Sequence, residues 1–489
     1  MNIKAVIEYL NKNMGYDISG SYYEYISIWR DWWKGFYSPF HEFSEKTYDN
    51  KIVKRKLYTL KMAKKVCEDW ASILLNEKTE IVIDDPGSSK FIHGDDNNTG
   101  ILEDNDFWKK ANELIEKAFY SGTGAFVLRL ENMKVTAGGS IVADPETSIR
   151  IEYLTALHIV PLTIQHGQII DVAFVSEILM KGKKFIYIET HVLEAGEYTI
   201  TNRYFQEEEG SLKTVALPEG ILESFKTGSD IPLFAIIRPN IANNIDESTG
   251  LGISVYANAI DNLEGVDLTY NNFCRDFKLG GKKVFLHEQL TGTDENGLTL
   301  TPDDVAQQLF VGVGDSLLGS DGTNKLIQEF NPSLRVQDNK DGIQAQLDYL
   351  SFKCGLGTKH YQFNVGSVVT ATQYMGDKQE LVQNASKHYI VVEKALKTLI
   401  QSILWIGRTV AKAAVKEDTQ ITITFDDGYV IDKEAERLRD LQEIRDGIQQ
   451  KWEYRAKWYG EDEETAKGMI SSPTDDDLLG FQSGGAPKK

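Results

Sequence analysis

Apolar residues recur at steps of three and four over two long stretches of the chain, and both stretches read as amphipathic helices. The longer covers residues 370–413, where Leu381, Ala385, Tyr389, Val392, Leu396, Leu399 and Ile403 form one stripe. No proline interrupts it before the strand-like run at 421–425, and at ~1.5 Å per residue such a helix spans roughly 60 Å. The second covers residues 254–278 and buries Tyr256, Ile260, Leu263, Val266, Tyr270, Phe273 and Phe277, leaving Asp261, Glu264, Asp267 and Asp276 mostly off the stripe. Gly250 and Gly252 supply permissive backbone ahead of it, and Ser254 stands as its N-cap. A shorter helical pattern at 341–354 places Ile343, Leu347, Leu350 and Cys354 on one face. Residues 355–369, between that helix and the long one, carry Gly355, Gly357, Gly366 and the run Val365-Gly366-Ser367-Val368-Val369, and read as a mobile loop. Its one charged residue is Lys359, beside the titratable His360.

The remaining patterns fill in an α+β chain. Residues 1–91 are helical and aromatic-rich, with Trp29, Trp32, Trp33, Phe36 and Tyr37 in one short run. Aromatics at helical spacing read as core or subunit contact before they read as a nucleobase-stacking platform. A helix at 106–120 turns into a strand through Gly122 and Gly124. Residues 149–231 alternate β-branched and aromatic runs with Gly167, Gly182, Gly196 and Gly210, the spacing of a hairpin meander. Strands are expected at 283–286 and 325–330, with a short helix opening at Thr301-Pro302-Asp303-Asp304. Beyond the long helix come a strand at 420–425, a helix at 432–450 capped by Asp432 with Leu438, Leu441, Ile444 and Ile448 inside, and another at 451–459. Residues 471–489 are rich in Gly, Ser and Asp and read as disordered.

Composition narrows the function classes. With 489 residues the chain has room for two to four domains. A formal charge of −20 argues against a protein that wraps DNA, which needs a basic face to displace phosphate counterions. The first ten residues hold no apolar core of signal-peptide length, and no window approaches the ~20 apolar residues that span a bilayer, so a soluble intracellular protein is expected. Cys67, Cys274 and Cys354 fall at unrelated spacings within apolar stripes, as three buried thiols in a reducing compartment; no zinc or other metal site is expected. Catalytic signatures are missing: Gly280-Gly281-Lys282-Lys283 is no P-loop, Gly122-x-Gly124 no dinucleotide turn, and His41-Glu42 lacks the second histidine of a metalloprotease helix. A carboxylate-dependent hydrolase, glycosidase or nuclease, stays open as an alternative on the abundance of acids alone.

Five separated phrases carry a resemblance. They are Met-Ala-Lys-Lys-Val-Cys-Glu-Asp-Trp-Ala-Ser-Ile-Leu-Leu-Asn-Glu-Lys at 62–78, Asn-Ile-Asp-Glu-Ser-Thr-Gly-Leu-Gly-Ile-Ser-Val-Tyr-Ala-Asn-Ala-Ile-Asp at 244–261, and Gly-Leu-Gly-Thr-Lys-His-Tyr-Gln-Phe at 355–363 with Val-Val-Thr-Ala-Thr-Gln at 368–373. The others are Phe-Asp-Asp-Gly-Tyr-Val-Ile-Asp-Lys-Glu-Ala-Glu-Arg at 425–437 and Trp-Tyr-Gly-Glu-Asp-Glu-Glu-Thr-Ala at 458–466. Together they resemble the portal proteins of tailed double-stranded DNA bacteriophages, nearest to those of long-tailed phages of Gram-positive hosts.

That resemblance implies a portal fold. Its parts would be a β-rich wing at 1–250 with the strand 418–430 returning to it, stem helices at 251–279 and 339–354, and a small α/β clip at 280–338. A tunnel loop at 355–369, a long spine helix at 370–413, a helical crown at 431–470 and the tail at 471–489 complete it. It implies a homo-dodecamer at one capsid vertex of the virion, assembled in the host cytoplasm. Double-stranded DNA would pass along its axis, and the terminase large subunit, a head-completion adaptor, and major capsid and scaffolding proteins would be partners, with no membrane, no cofactor and no enzymatic activity. Lys359, His360, Val365, Val368 and Val369 would meet the DNA. Asp261, Glu264, Asp267, Arg275, Lys278, Lys340 and Lys353 would belong to the stem wall, and Lys282, Lys283, Asp303 and Asp304 to the docking clip. Such a ring would carry roughly −240 in formal charge, repelling DNA except where the loops intrude. Another minor head structural protein is the alternative within the virion.

Overall fold

The computed structural model describes residues 2–46, 50–208, 210–287, 292–293, 299–300, 310–313, 327–362, 371–425 and 433–470. It divides into two compact units, Met1–Val365 with Gln383–Phe425, and Gly366–Val382 with Asp426–Lys489. The larger unit is a mixed α+β body from which a helix pair is built.

Its N-terminal helices α1 (Ile3–Met14) and α2 (Tyr22–Trp33) bury one face each, with Val6, Ile7 and Leu10 inside α1 and Ile26, Trp29 and Trp32 inside α2. The tryptophan run is therefore core: the Trp29 carbonyl accepts from the Tyr256 hydroxyl at 2.6 Å, and Trp33 stacks on Tyr120. Helix α3 (Met62–Leu74) buries Met62, Ala63, Val66, Cys67, Trp70 and Leu74 and packs against α4 (Phe107–Ser121). Between these two helices in sequence lies the short strand β1 (Glu80–Ile83).

Helix α4 stops at Gly122, whose φ of 82° lies in the left-handed region. A Cβ there would stand 2.2 Å from the Gly252 carbonyl oxygen, so two glycines let the chain cross itself just before the helix pair begins. Strands β2 (Gly124–Glu131), β3 (Ser148–Thr155) and β9 (Phe234–Ile237) make a three-stranded antiparallel sheet with β2 in the middle. Strands β4 (Ile159–Gln165), β5 (Gln168–Met180), β6 (Lys183–Glu194), β7 (Glu197–Glu208) and β8 (Ser211–Val215) run as an antiparallel meander in sequence order. Three of its hairpins close on pairs with two consecutive positive φ values, His166-Gly167, Lys181-Gly182 and Ala195-Gly196, the geometry that matches strand twist. Phe126, Phe174 and Phe205 are fully buried, against Phe107 of α4, Phe234 of β9 and Tyr9 of α1 respectively.

The helix pair comes next along the chain. Helix α5 (Ile260–Leu279) starts later than its apolar pattern indicates, because Ala257–Ala259 forms a 3₁₀ turn. Ser254 is not its cap; its hydroxyl is buried and donates to the Phe119 carbonyl at 3.2 Å. Strands β10 (Lys283–His287), β11 (Phe310–Val313) and β12 (Ile327–Phe330) form a small sheet with β10 central, parallel to β11 and antiparallel to β12. The helix expected at Thr301 lies outside the described residues. Helix α6 (Val336–Lys353) begins five residues before the 341 read from its stripe.

Helix α7 (Ala371–Thr409) stops short of 413, since beyond it the i→i−4 pattern gives way to longer closures, Ala411 N–H to the Ile406 carbonyl at 3.0 Å and Ala413 N–H to the Gly407 carbonyl at 2.8 Å. In the larger unit its Val392, Leu396, Leu399, Ile400 and Ile403 are fully buried. Strand β13 (Ile421–Thr424) pairs antiparallel with β1, Ile421 opposite Ile83.

In the smaller unit, α8 (Lys433–Arg445), α9 (Lys451–Tyr459) and α10 (Glu463–Ile470) bury Tyr454 and Ala466 among the described residues and are joined by polar contacts as well. Asp440 accepts from Lys457 at 2.7 Å and from the Trp458 indole at 2.9 Å. The stripe expected inside α8 is not buried: Leu438, Leu441 and Ile448 are exposed. Asp432 lies outside the described residues.

Candidate functional site

Helices α5 and α6 pack side by side. Leu263 and Val266 from one and Leu347 and Leu350 from the other are buried. Gly265, in the second turn of α5, faces α6, where a Cβ would stand 2.6 Å from the side-chain amide oxygen of Gln346. A glycine inside a helical pattern is the signal that foretells such a crossing, and sequence reading passed over it. At the other end Arg335 binds the Asp276 carboxylate with two N–H groups, at 2.7 and 3.1 Å, and Asn339 adds a third donor at 2.7 Å. Those donors hold Asp276 below the usual carboxylate range.

The wall charges do not all face solvent. Asp267 is buried: His41 Nε2 lies 2.9 Å from one of its oxygens and the Leu60 N–H donates to the other at 2.7 Å. Its carboxylate therefore fastens α5 to the N-terminal body and is no part of an exposed wall. Asn271, one turn on, receives the Tyr58 N–H. Glu264 is half-buried, its carboxyl pushed up by burial and then by the charge of Asp261, with His41 opposing. Asp261, Arg275, Lys278, Lys340 and Lys353 are exposed. Lys282 pairs with Glu329 at 2.8 Å, and Lys283 sits half-buried opposite Phe330. Asp303 and Asp304 lie outside the described residues.

The segment after α6 departs from the expected loop. Leu356 and Tyr361 are packed onto the body, with Thr358 and Lys359 exposed between them. Gly355 and Gly357 take left-handed φ of 79° and 84°, turning the chain so that Leu356 is buried. The Trp70 indole donates to the Cys354 carbonyl at 3.1 Å, and Asn384 of α7 donates to the Gly355 carbonyl at 3.1 Å. Tyr361 donates its hydroxyl to Asp69 at 2.8 Å, and His360 Nε2 stands 3.4 Å from the same carboxylate. Burial disfavours the charge on Asp69, but the His360, Lys65 and Tyr361 donors prevail and hold its carboxyl below the ordinary value. Val365, Val368 and Val369 lie outside the described residues.

Asp69 is the organising residue that sequence reading missed. It lies inside the phrase at 62–78 that carried the resemblance, but nothing in the spacing pairs it with a tyrosine almost three hundred positions away. Cys67 and Cys354 are buried, and burial pushes both thiols up; Cys274 is only half-buried, so the expectation of three buried thiols is corrected there.

The geometry is that of a braced helix pair, with an anchored turn leading out of it, on a mixed body. The family described as "Phage portal protein, SPP1 Gp6-like" matches residues 8–448, nearly the whole chain. The chain belongs to that phage portal protein family. Portals are structural proteins of the virion, and the mixed α+β architecture fits this one. No curated protein matches the chain. A solved structure it resembles, "Neck of native GTA particle computed with C12 symmetry", shares 11% identity at a TM-score of 0.35 over 81% of this portal and 88% of that chain. A likeness that distant bears no weight on the function of this portal. Among the described residues no group of three or more His, Cys, Asp or Glu is placed to hold a metal, and no helix is long and apolar enough to cross a membrane.

Proposed function

We propose that this portal assembles as a dodecameric ring at one vertex of the capsid, in the host cytoplasm, and serves as the channel for DNA packaging and ejection. The observation that carries the reading is the exposed apolar surface of the helix pair. Leu268, Phe277 and Leu279 of α5 and Tyr349 and Phe352 of α6 stand about half exposed or more. Large apolar side chains left exposed on opposite faces of a helix pair mark surfaces that other molecules cover, and in a ring those molecules are the two neighbouring copies. α5 and α6 then line the channel.

The turn through Tyr361 anchors the start of the 355–369 segment, and the remainder, with Val365, Val368 and Val369, meets the duplex. Valines touch DNA sterically without ion pairing, and Lys359 adds reversible phosphate contacts. Weak contact suits sliding, whereas a dense basic lining holds DNA by counterion release. The sheet β10–β12 is the docking face for the terminase large subunit and later the head-completion adaptor, with Lys282, Lys283, Asp303 and Asp304 in it. The body faces major capsid and scaffolding proteins. ATP hydrolysis belongs to the separate motor, and this chain has no catalytic part.

End-on electron-microscope images of the purified protein test the ring: twelve-fold annular particles are expected, and a uniform population of lone subunits at micromolar concentration contradicts it. Substituting Lys359 with Val365, Val368 and Val369 should impair packaging while rings still form. Normal packaging by such rings removes the channel role from the segment.

A further inference from the structure

The two sides of the helix pair differ in shape and charge. On one side Leu60, Tyr270, Phe273, Ile343 and Gln344 line a cavity of about 380 Å³ that is largely apolar, with Lys340 and Asp341 at its rim. At 100° per residue, Tyr270, Phe273 and Phe277 fall on one face of α5 and Leu268, Asn272, Arg275 and Leu279 about 160° away on the opposite face. That opposite face is a ridge, with Leu268, Asn272, Arg275 and Leu279 all exposed. One side of the pair is thus a groove and the other a ridge, the arrangement a head-to-tail closed ring requires and a two-fold dimer does not.

Charge selects the register. No carboxylate of its own chain pairs with Arg275 among the described residues, although Asp276 beside it is fully engaged by Arg335 and Asn339. Across the groove Asp341 is exposed, and the partner it has is the neutral Gln337 amide at 2.8 Å. The pair places both at one level: Asp276 contacts Arg335 and Asn339, so the last turns of α5 run beside the first turns of α6, where Asp341 sits.

We infer that the occupant of the groove is a second copy of this chain, whose Leu268–Leu279 ridge seats against Tyr270, Phe273 and Ile343 with its Arg275 paired to Asp341. This rests on the ring reading above and names the contact that closes it. The apolar seat supplies the area, and the ion pair, desolvated between two helix pairs, fixes which turn meets which. Neither residue is buried within its own chain, so changing either leaves the fold of the subunit intact.

The test is charge reversal on the full-length protein, with particle mass read by analytical ultracentrifugation and subunit fold by circular dichroism. Arg275→Glu and Asp341→Arg each set like charges against each other at every junction. Each should raise the concentration needed for half-assembly by about tenfold or more, with the circular dichroism spectrum unchanged. The double variant Arg275→Glu/Asp341→Arg restores opposite charges and should recover assembly to within about threefold of wild type. Rings that form equally well with either single reversal, or a double variant no better than the worse single, overturn the pairing while leaving the ring reading standing. A wild-type protein that never assembles overturns the ring reading itself.

Discussion

The body and the helix pair spend their aromatic residues in opposite ways. In the body Trp29, Trp32, Trp70, Phe107 and Phe119 are fully buried, and even the polar tips of Tyr22, Tyr23 and Tyr256 find backbone carbonyls. On the helix pair Phe277, Tyr349 and Phe352 stand half exposed or more. The body's stability is contained within one chain. In the body only Tyr25, Tyr58 and Trp108 stand exposed among the described aromatics, whereas on the proposed ring reading the pair's exposed rings are covered by neighbouring copies.

The largest effect should come from the body. Trp70→Ala empties a site packed against Phe119 and His388 and removes the indole bond to the Cys354 carbonyl. It should cost about 3–5 kcal/mol in urea unfolding; a loss below about 1 kcal/mol would make the body no more self-contained than the pair. Next is the tie between the two regions. His41→Ala takes the imidazole from the buried Asp267 carboxylate and leaves it the Leu60 N–H alone, and should cost about 2 kcal/mol by the same measurement. A neutral outcome would mean that the Leu60 and Tyr58 N–H bonds, with apolar packing, hold α5 without the imidazole.

Acid provides a third probe of the body. His388 is buried against Trp70 and Phe119, accepts the Asn240 N–H, and burial lowers its pKa to about 3. In the unfolded chain it titrates near 6.5, so below that pH the unfolded state binds the extra proton and stability falls with pH. From pH 7 to pH 5 the loss should be about 2 kcal/mol. His388→Asn, compared with wild type across that range, should flatten the slope; an unchanged slope assigns the acid sensitivity elsewhere.

On the pair, Phe352→Ser should change urea unfolding of the dissociated subunit by no more than about 0.5 kcal/mol while weakening assembly about tenfold. The reverse outcome would erase the distinction between the regions. At the small end, the Lys4–Glu24 pair is exposed on both sides, and Lys4→Ala should move stability by less than about 0.5 kcal/mol.

How much could be read from the sequence depends on the range of the physics involved. The meander was legible because each hairpin writes a glycine at a fixed spacing, and the long helix because its stripe repeats without a break. Helix starts were less legible: the stripe of α5 extends back to Tyr256, but local backbone bonds at Ala257–Ala259 decide where the α-helix begins. Hidden altogether was chemistry made by long-range pairing. Asp267 looks like any acid off a stripe until His41 and Leu60 close on it, and Tyr361 looks like a loop residue until Asp69 holds it. The exposed Leu438, Leu441 and Ile448 of the smaller unit make the same point, since periodicity marks an apolar face without saying what covers it.

Hydroxyl-radical footprinting of Phe277, Tyr349 and Phe352, in the assembled particle and in the dissociated subunit, tests most directly whether the pair is completed by its neighbours. The three rings should be oxidised in the subunit and protected at least about fivefold in the particle, with Trp70 protected in both. Equal oxidation of Phe277, Tyr349 and Phe352 in both states would show that no neighbour covers them, and the helix pair would have to be given another role.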